Sequence, residues 1–172
     1  VPNKGSAFER EISRYLTKWV TGNDKPYLYW RMPGSGMIAT VSEENKELSG
    51  DIISLRIEGA FLTDKFSIEC KTGYISADFW KTLKNNKNDE LKLFWKQALF
   101  AGNKTNKSAI IIFRKKGLKP IIGIDPDYFK NMTKIFKLNS VTLTFEEELP
   151  RLTFFDMDTF FECVSPEDIK RI

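Results

Sequence analysis

Between Phe66 and Lys71 the chain alternates strictly: Phe66, Ile68 and Cys70 are apolar, while Ser67, Glu69 and Lys71 are polar or charged. Only a β-strand has a side-chain period of two. The spacing therefore predicts a strand over 65–72, with its apolar residues in a core and Glu69 and Lys71 together on the other face. The run Asp51–Ile57 also reads as a strand, and a connection containing Gly59 predicts that the two form a hairpin. Antiparallel pairing about a turn near 60–61 would set Asp51 opposite residues 69–71. Two carboxylates and one ammonium would then converge.

The rest of the chain supplies what such a strand needs for cover. Phe8, Ile12, Leu16 and Trp19 fall at helical spacing and predict an amphipathic helix over 6–21, stopped by Gly22-Asn23-Asp24. Ser6-Ala7-Phe8-Glu9 has the form of a capping box. An extended segment follows around 27–32, then the polar turn Pro33-Gly34-Ser35-Gly36. Leu91, Phe94, Trp95, Ala98 and Leu99 predict a second helix ending near Gly102-Asn103. Ala109–Phe113 and Pro120–Ile124 predict a hairpin around Lys116-Gly117, then a helix near 127–136, a strand at 141–145 and a short terminal helix. Helices alternating with strand pairs imply an α/β domain with a mixed central sheet flanked by helices. The 172 residues suffice for one domain with its own core. We read 1–172 as that single domain, with a core of about 4–124 and a C-terminal extension of 125–172.

Composition narrows the chemistry. The chain has no histidine, which excludes an imidazole base, a histidine-bound metal and a Ser-His-Asp triad. Its two cysteines, Cys70 and Cys163, lack paired metal-ligand spacing, and two isolated cysteines suit a reducing cytoplasm. No apolar run is long enough to span a bilayer, so no membrane partner is expected. The net charge of +4 is modest, but Lys104, Lys107, Arg114, Lys115, Lys116 and Lys119 fall in sixteen positions without an acid. That cluster reads either as a solvated hairpin or as a track for phosphates.

Hydrolysis must then use carboxylates, lysines or hydroxyls. Asp51 and Glu69 are hard oxygen ligands suited to magnesium or manganese, and the backbone carbonyl of Cys70 can complete a metal site. Lys71 can touch a scissile phosphate, orient the attacking water or steady charge in the transition state. Glu9 can serve the same metal, or simply occupy position N3 of a capping box.

Seventeen residues separate Asp51 from Glu69, and Gly50-Asp51 followed by Glu69-Cys70-Lys71 resembles the bipartite signature of the PD-(D/E)xK nuclease superfamily. Gly50 stands where that signature nominally has proline. Within the superfamily, Lys4-Gly5-Ser6 with Glu9, Arg31 with Gly34-Ser35-Gly36, and the two motif halves resemble the archaeal-type Holliday junction resolvases, also found in phages. The likeness covers about residues 4–73. It implies a restriction-endonuclease-like fold, Glu9, Asp51 and Glu69 as metal carboxylates, and Lys71 as catalytic lysine. It also implies Ser35 as a helper near the phosphate, and Gln97 stands where some relatives carry a functional glutamine. Lys4, Arg31, Lys104, Lys107, Arg114, Lys115 and Lys116 would contact DNA. The implied activity is Mg2+-dependent cutting of four-way junctions by a homodimer. Phe154, Phe155, Phe160 and Phe161 would serve its interface or the core, and the four tryptophans the core or an interface. The alternatives are a restriction-type endonuclease, a recombination exonuclease or a non-catalytic DNA-binding module.

Overall fold

A computed structural model describes residues 4–32, 49–84, 89–145 and 149–172. Helix α1 (Lys4–Thr21) buries Phe8, Ile12 and Leu16, the stripe expected from their spacing. It begins two residues earlier than the expected start. Ser6 is therefore inside the helix rather than at its cap, and the capping-box reading of Ser6 and Glu9 is corrected. Thr17 Oγ1 accepts from the backbone N–H groups of Leu28 and Tyr29, at 3.2 and 3.3 Å. That bond fixes strand β1 (Tyr29–Arg31) against the helix.

The expected hairpin between 51–57 and 65–72 does not form. Strand β2 (Ile52–Ser54) pairs antiparallel with β1 instead, and Ile57–Thr63 is a short helix, α2. The apolar alternation ends at Ser54. Beyond it Gly59, Leu62 and Thr63 take over at helical spacing and are buried. Gly59 lets the helix lie close against β2 and the start of β1: a Cβ there would sit 2.7 Å from Ser54 Oγ and 2.8 Å from Leu28 Cγ, and its carbonyl accepts from the Tyr29 hydroxyl at 3.0 Å.

Strand β3 (Phe66–Thr72) starts the main sheet, whose order is β3-β4-β5-β7-β6. Helices α3 (Phe79–Leu83) and α4 (Glu90–Lys104) cross over to β4 (Ser108–Arg114), which runs parallel to β3. The hairpin to β5 (Ile121–Ile124) forms as expected, turning through Gly117 at φ +81°. After a 3-10 turn at Thr133–Lys137 come β6 (Ser140–Leu143), β7 (Leu152–Asp156), α5 (Met157–Cys163) and α6 (Pro166–Arg171). The helix expected over 127–136 is only that 3-10 turn, and the single terminal helix is two.

Strand β7 was not expected, yet it lies between β5 and β6. Leu152 through Phe155 are all buried, so the run has no alternation to betray a strand. Residues beyond 124 thus supply two of the five strands. The result is a mixed sheet flanked by helices, as the superfamily resemblance implies. One face packs Ile68, Cys70, Ile110, Ile112 and Phe155 under α1, α5 and α6. The other packs Ile111, Phe113 and Phe154 under α4.

Phe154, Phe155, Phe160 and Phe161 all belong to these cores, which removes them from any dimer interface. Trp19 and Trp95 are packed as expected, and each indole donates to a main-chain carbonyl: Trp19 to Phe161 and Val164, Trp95 to Pro150. Trp80 stands in solvent, which removes it from the core.

Candidate active site

Among the described residues strand β3 is an edge strand, with only β4 beside it in the main sheet. An unpaired edge leaves N–H and C=O groups needing partners. Asp51 supplies them. Its N–H donates to the Ile68 carbonyl at 2.7 Å, and its Oδ2 accepts from the Cys70 N–H at 2.8 Å. Its own carbonyl accepts from the Met32 N–H at 2.7 Å, next to the β1–β2 pair. Asp51 therefore joins the small sheet to the large one: two hydrogen bonds fix its backbone, and the Cys70 N–H holds its carboxylate. The convergence expected from a hairpin is reached by a local graft onto the edge.

Gly50 makes the graft possible. It has φ +81°, and a Cβ there would fall 2.7 Å from both the N and O of Ile68. Proline, locked near φ −65°, cannot take this conformation, so the departure from the nominal motif has a steric cause.

Glu69 and Lys71 share the face they were expected to share, and Lys71 Nζ donates to Glu69 Oε1 at 2.6 Å. Beneath them α4 contributes Phe94, whose ring centroid lies 5.6 Å from Lys71 Nζ and 4.7 Å from the Tyr74 ring. Glu9 comes from α1 on the opposite face of the sheet. It is buried, and its Oε2 accepts from Arg31 Nε at 2.9 Å. Tyr74 and Phe94 are the contacts that pattern reasoning missed as part of the site. Phe94 carries only a core signal in the sequence, and Tyr74 carries none.

Crowding of acids leaves an electrostatic signature. Burial, then the charge of Glu69 and more weakly that of Glu9, pushes Asp51 up to about 7, against the opposing Cys70 N–H bond and Lys71. Burial pulls Lys71 down, but the charge and hydrogen bond of Glu69, with Asp51 behind it, more than offset this and raise it above the usual lysine value. Burial, then Asp51 and Glu69, push the Cys70 thiol well up. A neutral buried thiol is no metal ligand, so Cys70 can offer only its carbonyl.

Among the described residues, no three His, Cys, Asp or Glu side chains are grouped closely enough to cage an ion by themselves. Two carboxylates and a carbonyl suit a different arrangement, in which a small hard cation keeps several waters and takes the remaining oxygens from a phosphate. The mutual repulsion at Asp51 fits such a cation. Asp51 and Glu69 are the side chains that would hold it.

The other expected residues separate. Arg31 lies at the site through its ion pair with Glu9. Lys4 is the exposed first residue of α1. Gln97 is exposed on α4, one turn on from the Phe94 that lies against Lys71. Ser35 lies outside the described residues. The basic cluster is split by β4, whose seven residues span about 20 Å. The register Thr72 to Arg114 puts Arg114, Lys115 and Lys116 at the Lys71 end, and Lys104 and Lys107 at the other. Arg114 is itself engaged, donating to both oxygens of Glu11 at 2.7 and 2.8 Å over the Phe8 ring.

A family model described as phage putative PDDEXK endonuclease matches residues 2–171. No curated protein and no solved structure matches the chain.

Proposed function

The chain belongs to the phage putative PDDEXK endonuclease family, and on that premise we propose that it is a divalent-metal-dependent DNA endonuclease whose active site is the cluster at the free edge of β3. One observation carries the reading: Asp51 is bound to the main chain of Ile68 and Cys70, immediately beside the Lys71–Glu69 pair. In the proposal Asp51, Glu69 and the Cys70 carbonyl hold Mg2+, with Mn2+ as a substitute. The bound ion would neutralise phosphate charge and lower the pKa of water.

The protein's own residues do the rest. Lys71, held as a cation by Glu69, offers its N–H groups to a phosphate oxygen or to charge on the leaving oxygen. Phe94 beneath it limits the directions in which that ammonium can move. Arg31 neutralises Glu9, which keeps this third acid from repelling the DNA backbone. Arg114, Lys115 and Lys116 extend positive charge beyond the Lys71 end of the sheet, where phosphate contacts would position the substrate without reading its sequence.

The resemblance over residues 4–73 extends the proposal to four-way junctions. Two copies related by a two-fold axis would supply the paired cuts that such a junction requires. A DNA substrate would place its action in the cytoplasm of a bacterial host. No described helix is long and apolar enough to cross a membrane.

The test is cleavage of a panel of four-way junctions, flaps and linear duplexes with and without Mg2+, with Asp51→Asn as control. Metal-dependent cutting by the wild type and a loss of about three orders of magnitude in the variant are expected, the equivalent of several kcal/mol of charge stabilisation. Equal cutting by both proteins would overturn the assignment of the site. Indifference to DNA form would leave an endonuclease that is not a junction resolvase.

A further inference from the structure

The stretch after the catalytic lysine carries an apolar surface that the fold leaves uncovered. Tyr74, Ile75, Trp80 and Leu83 are 39, 69, 71 and 72% exposed. Helix α3 is fixed without them. Phe79 packs edge-on against Phe154 with ring centroids 5.6 Å apart, and Asp78 caps the helix by accepting from the Lys81 N–H at 3.0 Å. This anchoring turns Trp80 and Leu83, three residues apart on one helical face, toward solvent.

The strip begins at the candidate active site, because Tyr74 rests on the same Phe94 ring that lies under Lys71. Its far end is not remote. Glu69, Ile111, Gly123 and Phe154 form one row across the sheet, which puts the anchor of α3 three strands from Glu69, or about 14 Å. One DNA molecule can touch both.

The surrounding charge selects the partner. Lys81 and Lys84 stand on or beside α3, and Lys92 and Lys96 on α4. The described acids of this stretch number three, with Asp78 and Asp89 capping α3 and α4 and Glu90 accepting from Ser76 Oγ, so the four lysines are in excess. Exposed aromatic and aliphatic side chains among lysines are the combination that binds unpaired nucleic acid, with the rings under bases and the cations on phosphates. Intact duplex hides its base faces, so Trp80 gains nothing from it. A second copy docked here about a two-fold axis would set one lysine-rich patch against another.

We propose that the strip Tyr74–Ile75–Trp80–Leu83 receives unstacked bases, so that the substrate class is DNA with unpaired positions near the cut. The proposal rests on the nuclease reading of the β3 edge. It is tested with the full chain in EDTA, by fluorescence anisotropy on labelled duplex and on the same duplex carrying a short single-stranded gap. The wild type should prefer the gapped DNA, Trp80→Ala should reduce that preference about tenfold, in line with loss of one stacked base, and Trp80→Phe should keep most of it. A preference unchanged in Trp80→Ala, or none in the wild type, overturns the strip while leaving the nuclease reading intact. A Trp80→Ala change from dimer to monomer by light scattering overturns it in favour of a second copy. Failure of the wild type to bind gapped DNA overturns the strip, and the nuclease reading is decided separately by the cleavage panel.

Discussion

Asp51 and Asp168 are the same residue placed under opposite conditions. At the free edge of β3, burial and two neighbouring acids push the Asp51 carboxyl up to about 7. At the start of α6, Asp168 is held well below the usual carboxylate range by hydrogen bonds from the Lys134 ammonium and from the Ser165 side chain and backbone N–H. It also completes a capping box there. The C-terminal corner uses its charge to stabilise the fold, whereas the β3 edge gathers charges that oppose folding. Such an arrangement is expected where binding, rather than stability, has selected the residues.

That contrast can be broken most directly at Asp51. Because its folded pKa lies above its unfolded one, the folded state binds more protons between about pH 4 and 7, and stability falls as pH rises through that window. In EDTA at pH 8, Asp51→Asn should therefore be more stable than the wild type by on the order of 3 kcal/mol. The gap should close near pH 4. Thermal melts at the two pH values decide it, and a variant that melts lower at pH 8 would show that the carboxylate is not under strain.

A somewhat smaller effect should follow from relieving the same repulsion with an ion. Mg2+ or Mn2+ at about a hundred times its Kd should stabilise the wild type at pH 8 by roughly 2.7 kcal/mol and leave Asp51→Asn unmoved. An equal rise in both proteins would place the ion elsewhere.

The smallest change sharpens the other side. Asp168→Asn should cost about 1 kcal/mol at pH 7, the usual scale for a lost helix cap. Since the folded pKa is depressed, that contribution is complete above the unfolded value and declines as pH falls below about 4. Urea melts at pH 7 and pH 3 would test this, and a deficit that grows on acidification contradicts the assignment.

The two regions were unequally legible in the sequence. Glu69 and Lys71 could be placed on one face because a strand with one buried side must alternate, and the register around them leaves no other choice. The helix stripes of α1 and α4 were legible for the same reason. The ion pair of Asp168 with Lys134 could not be read, because the two are remote in sequence, whereas the capping box Ser165-Pro166-Glu167-Asp168 is a local pattern. Strand β7 was invisible because burial on both faces erases periodicity. The basic run from Lys104 to Lys119 misled as a unit, since adjacency in sequence says nothing about which end of an intervening strand each lysine occupies.

By itself the sequence determined what is local: the two-residue period of β3, the apolar stripes of the helices, the absence of imidazole chemistry and the shared face of Glu69 and Lys71. Only the tertiary structure decided how Asp51 reaches them, which it does through Gly50 and the unsatisfied edge of β3 rather than through a hairpin. It also decided that Trp80 faces water while four C-terminal phenylalanines do not. Periodicity reports which side of an element is buried, but the partner that buries it is fixed by packing among segments far apart in the chain.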